Sequence, residues 1–203
     1  MAQDKETREN LIDSAKAEFM EKGYSKASLR SICAKAGVTT GALYFFFEDK
    51  ADLYRAILGK PVDELFAIMQ EHFDKESDTI ASPGYNAADD HNEFAQKIIR
   101  HIYSNYDAVI LLLTKSQGSE YENIVDKVVD FNESKSVEIM ERFSEYKGKK
   151  KKINTYMHHF VIHLMVDAFV HLVTHEPDEE KARAYIKKII KMMMGDWMDT
   201  FFD

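Results

Sequence analysis

Residues 28–47 read SLRSICAKAGVTTGALYFFF, and this stretch decides the fold. Ser28 can cap a short helix that turns Leu29, Ile32 and Cys33 inward. Gly37 ends that helix, and Thr39 or Thr40 caps the next, which runs to about Phe46. Two short helices joined by a glycine-containing turn of about four residues are the minimum helix-turn-helix. Ala34 is expected where the helices cross, and Val38 and Leu43 between them. Thr39, Thr40, Ala42, Phe45 and Phe46 are then left facing outward.

Working outward, helical periodicity dominates. Leu11, Ile12, Ala15 and Phe19 repeat at helical spacing within residues 5–22; Gly23 reads as a stop, with Tyr24 folding back on the last turn. Asp49 caps a fourth helix beginning near Lys50, which should kink or restart at Gly59-Lys60-Pro61. Residues 76–91 read as the longest loop. Helices are expected over about 91–105 and 106–117, then from Ser119 to about Tyr146. After the polar run Lys147–Lys152 come helices over about 153–175 and 178–202, the last opened by Pro177. No alternating strand pattern, repeat or low-complexity tract is found, so the fold class is all-α, with about nine helices.

Composition agrees. Three prolines and eight glycines in 203 residues suit long helices, and 45% hydrophobic residues suffice for a sizeable core. A single cysteine, Cys33, excludes an intramolecular disulfide framework and suits a reducing, cytoplasmic setting; the position reads as a small buried apolar residue rather than a redox switch. The charged N-terminus, Met1 to Glu9, has no apolar stretch behind it. The most hydrophobic segment, Met157–Thr174, carries four histidines, His158, His159, His163 and His171, besides Asp167, so a buried helix is expected rather than a membrane span. The net charge of −8 lies wholly beyond residue 50, because residues 1–50 hold eight basic and eight acidic residues.

The residues Leu11-Ile12, Ala15, Phe19, Gly23-Tyr24, Ile32, Ala36-Gly37-Val38, Gly41, Leu43-Tyr44, Phe47, Lys50 and Leu53 run in order without gaps. Over residues 8–53 this string resembles the DNA-binding domain of the tetracycline-repressor-like (TetR) family. The resemblance implies a helix-turn-helix domain over 1–50 and a helical ligand-sensing and dimerisation domain over 51–203. It implies a dimer on a palindromic double-stranded operator, released by a small, partly apolar ligand, with repression the default. No enzymatic activity, cofactor or metal is expected. Tyr44 matches a tyrosine that hydrogen-bonds phosphate, Lys50 a lysine that contacts phosphate, and Arg30 a position touching backbone or a base. Thr39, Thr40 and Gly41 match positions entering the major groove. With Ser28, Ala42, Phe45 and Phe46 these make the expected DNA-contact set. Two departures stand out: Phe46 replaces a frequent histidine, and Ala42 offers only a methyl. Base readout should be sparse, with DNA shape contributing.

Beyond the motif, Phe66, Met69, Phe94, Tyr103, Tyr106 and Phe131 form a pool from which a cavity within residues 51–146 could be lined; ordinary core uses the same side chains. Phe160, Leu164, Ala168, Ile186, Ile190, Met193 and Trp197 are expected at the dimer interface. His159, His163, Asp167, His171 and His175 recur every fourth residue. Each step drifts by about 40° around a helix, so the row cannot ring one ion and reads as a polar stripe along an interface or pocket wall. Two rivals remain: a metal-binding protein or enzyme using that row, and a helical interaction protein that has lost DNA binding. The Lys147–Lys152 run reads as a solvated connector rather than a second nucleic-acid contact.

Overall fold

The computed structural model describes residues 2–80, 82, 87–146 and 153–193, all of whose regular elements are helices: α1 (Ala2–Lys26), α2 (Leu29–Ala36), α3 (Thr40–Phe46), α4 (Lys50–Thr79), α5 (Ala87–Ser104), α6 (Tyr106–Lys115), α7 (Ile124–Tyr146), α8 (Thr155–His175) and α9 (Glu179–Met193). The fold is all-α. Two compact units are distinguished, Met1–Glu64 with Asn105–Ile124, and Leu65–Ser104 with Val125–Asp203. This partition by packing differs from the functional division drawn at residue 50, because α6 packs on α1 and joins the first unit.

In the first unit Leu11, Ala15 and Phe19 of α1, Ile32 of α2, Leu43 of α3 and Leu53 and Leu58 of α4 are all fully buried, and α1 packs on α2. Tyr54 anchors an aromatic cluster, edge-on to Phe19 at 4.7 Å and tilted against Tyr24 at 4.8 Å. Its hydroxyl shares a hydrogen bond of 2.9 Å with Ser116 Oγ, and burial pushes its pKa up to about 12. The expected stop at Gly23 is real: its φ of 75° and ψ of 161° break the helix, and Tyr24 stacks back on Phe19.

The second unit is built around α5 and α9. Ala95 and Ile99 of α5 pack with Ala182, Ile186 and Ile190 of α9 and Leu172 of α8. Phe73 and Ile80 meet Ile139 of α7, and Met140 of α7 meets Val161 of α8. Asn154 caps α8, accepting from Met157 N at 3.0 Å, and Asp178 caps α9, accepting from Lys181 N at 3.0 Å.

Several sequence expectations are corrected. α4 does not restart at Pro61; it runs unbroken for 30 residues, because Ile57, Leu58 and Val62 on either side are buried and packing outweighs the lost backbone bond. Residues 76–79 are helix rather than loop: Phe73, Glu76 and Ile80 keep helical spacing on a buried face, while polar Ser77, Asp78 and Thr79 lie towards solvent. α5 starts at Ala87, earlier than expected. α7 starts at Ile124, not at Ser119, because residues 116–124 make i→i−3 turns instead (Ser119 N to Ser116 O 2.9 Å, Ile124 N to Tyr121 O 3.1 Å). The connector Lys147–Lys152, the end of the last helix and Trp197 lie outside the described residues.

α8 is long and apolar enough to cross a membrane by length and composition. It is only in part the buried helix expected: His158, Val161, Ile162, Leu172 and Val173 are buried, but Tyr156, Phe160 and Leu164 are exposed.

Candidate nucleic-acid interface

Gly37 makes the turn between α2 and α3 possible. It sits in the left-handed region at φ 69°, and its N–H and that of Val38 close α2 on Ala34 O and Cys33 O. Ser28 stands at the N-cap of α2, but its side chain makes no cap bond. Thr39 caps α3, its Oγ1 accepting from Ala42 N at 3.2 Å; the hydroxyl proton stays available for an outside acceptor. Ala34, expected at the crossing, is exposed. Cys33 and Leu43 are the buried small and branched residues of the motif, and burial pushes the Cys33 thiol up, away from the reactive thiolate.

α3 and its C-cap sort their residues into four rows at four-residue spacing. Leu43 and Phe47 point into the core, Ala42 and Phe46 are half-buried, and Thr40 with Tyr44 and Gly41 with Phe45 lie exposed. Tyr44 is 56% and Phe45 76% exposed, unusual for side chains of that size without a partner surface. Phe45 sits edge-on to Phe46 at 4.9 Å, so Phe45 is the outward member of the pair. Arg30, on α2, is exposed.

Lys50 is placed differently from a free phosphate-seeking lysine. Its Nζ donates to Tyr24 O at 2.8 Å and Ser25 O at 3.3 Å and lies 4.5 Å from the Tyr24 ring centroid. Two of its three donors therefore close the end of α1, leaving one for another acceptor. Asp49 caps α4 as expected, accepting from Asp52 N at 2.7 Å, and Asp52 reaches back to Glu48 N at 3.1 Å.

Glu18 is the functional residue that sequence reading missed. Its carboxylate is fully buried. It accepts from Lys22 Nζ at 2.8 Å on α1, and from Lys35 Nζ at 2.9 Å and Ser31 Oγ at 2.7 Å on α2, with Ser28 N at 3.4 Å. Lys22, then Lys35, hold its pKa down at about 2. Glu18 thus clamps α2 to α1 and sets the seat against which α3 is held. The i,i+4 spacing to Lys22 was visible; the reach to Ser31 and Lys35 depends on how two helices cross.

The remaining expected residues divide between the units. Phe66 and Phe131 meet edge-on at 5.4 Å, Met69 is buried, and Phe94 is half-buried. Tyr103 donates to Glu176 O, and Tyr106 belongs to the first unit, apart from the rest. A cleft of about 280 Å³ does exist in the second unit, but Phe73, Asp74, Ser77, Lys135, Ile139 and Arg142 are among its lining residues and none of the pool is. Of the interface set, Phe160 and Leu164 are exposed and Ala168 half-buried, whereas Ile186 and Ile190 are buried inside the chain against α5. The side chains of Met193 and Trp197 lie outside the described residues. The histidine row is a largely exposed stripe, with His159 on Glu133, His159 edge-on to His163 at 4.4 Å, and His171 stacked on His175 at 4.1 Å. Among the described residues, the three side chains close enough to share a metal ion are instead His72, Glu76 and His91.

Residues 11–57 match the family described as bacterial regulatory proteins, tetR family. The transcriptional repressor BepR of Brucella suis is 46% identical over 55 residues, which are 27% of this chain and 26% of that protein. The match therefore spans about a quarter of the curated relative. Two solved structures share the fold across most of the chain. The TetR family protein CprB from S. coelicolor A3(2) has a TM-score of 0.58 at 21% identity, covering 91% of this chain and 86% of its own. NalD, the secondary repressor of the MexAB-OprM multidrug efflux pump in Pseudomonas aeruginosa, has a TM-score of 0.55 at 17% identity, covering 95% and 97%. The ordered motif, the capped α2–α3 pair it builds and the match over residues 11–57 together place that N-terminal segment in the family of bacterial regulatory proteins, tetR family.

Proposed function

We propose that this protein is a dimeric, cytoplasmic transcription regulator, by default a repressor and not an enzyme, that binds a palindromic operator and is released by a small ligand. The observation that carries the reading is the exposed row on α3. Thr40, Gly41, Tyr44 and Phe45 face solvent on a helix whose opposite side, Leu43 and Phe47, is locked into the core. A recognition helix presents such a face to the major groove, while Tyr44, Lys50 and Arg30 contact phosphate or backbone. Only Thr39, Thr40 and Arg30 bring polar base-reaching groups, so DNA shape carries part of the specificity.

The dimer reading is supported by the exposed apolar row Tyr156, Phe160 and Leu164 on α8 and by Tyr185 and Met192 on α9. A two-fold pairing of these faces would set two recognition helices about 34–36 Å apart. A partly apolar ligand bound in the unit of Leu65–Ser104 and Val125–Asp203 releases DNA only if it favours a state that the operator does not accept.

Selection from a random DNA pool, followed by salt titration, tests the reading. Enrichment of a palindrome with half-sites about one turn apart, bound less tightly as salt rises, is the expected result. Failure to enrich any sequence, with dimers intact, would sink it. Sedimentation of Leu164→Asp checks the interface: a folded monomer is expected, and an intact dimer would move the interface elsewhere.

A further inference from the structure

Away from the reading head, three metal-ligating side chains converge. His72 and Glu76 stand four residues apart on one face of α4, and His91 lies on the first turns of α5; their ligand atoms all fall within 4.8 Å of one another. His72 Nε2 is 3.6 Å from Glu76 Oε2, and His91 Nε2 is 3.6 Å from Glu76 Oε1. Ligand atoms around a tetrahedral ion with bonds of about 2.0–2.1 Å stand roughly 3.3–3.4 Å apart. The two 3.6 Å pairs stand a few tenths of an ångström wider than that, and no pair of ligand atoms has to close by more than about 1.5 Å to share one ion. His72 and Glu76 are buried and His91 is half-buried, which keeps bulk water from competing for them.

The other ring nitrogen of His72 supplies an independent sign. Nδ1 faces Asp90 Oδ2 at 3.6 Å, too far for a hydrogen bond. The Asp90 side chain is only 10% exposed; its Oδ1 takes Lys75 at 2.9 Å, but Oδ2 is buried with no hydrogen-bond partner. A metal-bound histidine donates its remaining ring N–H to a carboxylate, which fixes the tautomer and the ring plane. An ion on Nε2 would put the proton on Nδ1 and give Asp90 Oδ2 the donor it lacks. Phe94 stacks on the imidazole at 4.0 Å with 6° between the planes, holding the ring in that orientation.

We propose that His72, Glu76 and His91 form a binding site for one divalent transition-metal ion, with Asp90 positioning His72. Two imidazoles and one carboxylate select Zn²⁺, Co²⁺ or Ni²⁺ over Mg²⁺ and Ca²⁺. Three protein ligands leave a fourth position for water or a ligand atom. The ion would tie the end of α4 to the start of α5 and stabilise the chain by mass action. The site stands independently of the DNA-binding reading.

The test is titration of the chelator-stripped full chain with ZnCl₂ by calorimetry, with melting followed in parallel. One Zn²⁺ per chain and a raised Tm are expected. His91→Gln and Glu76→Gln should each weaken binding about 100-fold and Asp90→Asn about tenfold, while His163→Gln changes nothing. Absence of saturable binding by the parent chain overturns the proposal. So does binding that survives both ligand substitutions, or that is lost in His163→Gln. Should the variants fold poorly, the parent chain loaded with Co²⁺ decides alone: an intense visible band of a four-coordinate ion, bleached by Zn²⁺, is expected, and the pale spectrum of a six-coordinate ion overturns the site.

Discussion

Glu18 in the first unit and Asp90 in the second are both buried carboxylates on helices, and they are treated in opposite ways. Glu18 has four donors around it, two of them lysine ammoniums. Asp90 has one lysine on Oδ1 and nothing within hydrogen-bond distance on Oδ2, with the His72 imidazole 3.6 Å away. Burying a carboxylate costs several kcal/mol unless partners offset it. A saturated carboxylate therefore fixes a shape, as the reading head requires. An unsaturated one beside two histidines and a second carboxylate is a cost that a bound cation can remove. The head is organised to hold still, and the region around α4 and α5 to respond.

The comparison breaks most sharply at Glu18. Glu18→Ala strips the clamp between α1 and α2, leaves Ser31 and the Ser28 N–H without their acceptor, and should cost about 2–3 kcal/mol in urea denaturation. Specific DNA binding should fall further than stability alone explains, because α3 is seated on α2. A loss below about 0.5 kcal/mol would mean that the lysines merely decorate an already rigid head.

The pH dependence sharpens the same point. Glu18 titrates at about 2 in the folded chain, against 4.5 for a free glutamate, because Lys22 and Lys35 bond the ionised form. Its folded pKa is depressed, so the stability it contributes is fully present above 4.5 and is lost as pH falls from 4.5 towards 2. Glu18→Gln should flatten the stability profile over that window relative to the parent. Parallel profiles would show that other carboxylates govern acid unfolding.

Lys50 carries a smaller effect with two parts. Removing it by Lys50→Ala frees the Tyr24 and Ser25 carbonyls and the cation over the Tyr24 ring, costing about 1 kcal/mol of stability. If its third donor reaches phosphate, the salt slope of operator binding should also shrink by about 1. An unchanged slope with lowered stability would make Lys50 a strut of the head alone. Tyr44→Phe, by contrast, should weaken DNA binding several-fold without touching stability, because its hydroxyl lies on the exposed row.

The head was legible for reasons that are local. Gly37, Thr39 and Asp49 announce caps within four residues, and each does its work over that distance. The Leu43–Phe47 spacing separates core from surface on α3 without reference to any other helix. Legibility failed where two helices decide together. The broad apolar side of α9 was read as interface, but Ile186 and Ile190 turn towards α5, and periodicity does not say which neighbour an apolar stripe meets. The repeated histidines of α8 drew attention because they recur along one helix. In the His72, Glu76 and His91 group only the first two share that spacing; His91 lies about 15–20 positions further on, and its meeting with them depends on how α4 and α5 pack. Loop-like composition over 76–79 hid the end of α4, where one of those ligands sits.

The smallest expected change has the most informative sign. His72→Phe keeps the stack on Phe94 and removes two ring nitrogens that each lie 3.6 Å from the nearest carboxylate oxygen, beyond a hydrogen bond. No formed bond is lost, and a polar ring is replaced by an apolar one of similar volume, a change that is commonly neutral or favourable in a buried cluster. Metal-free His72→Phe should therefore melt at or slightly above the parent, by no more than about 1 kcal/mol, while losing any gain in Tm on adding Zn²⁺. A residue that weakens the resting chain yet is needed for the loaded one is placed for binding. A clear drop in the melting temperature of the metal-free variant would instead make His72 a structural partner of Glu76 and Asp90, and would erase the contrast with Glu18.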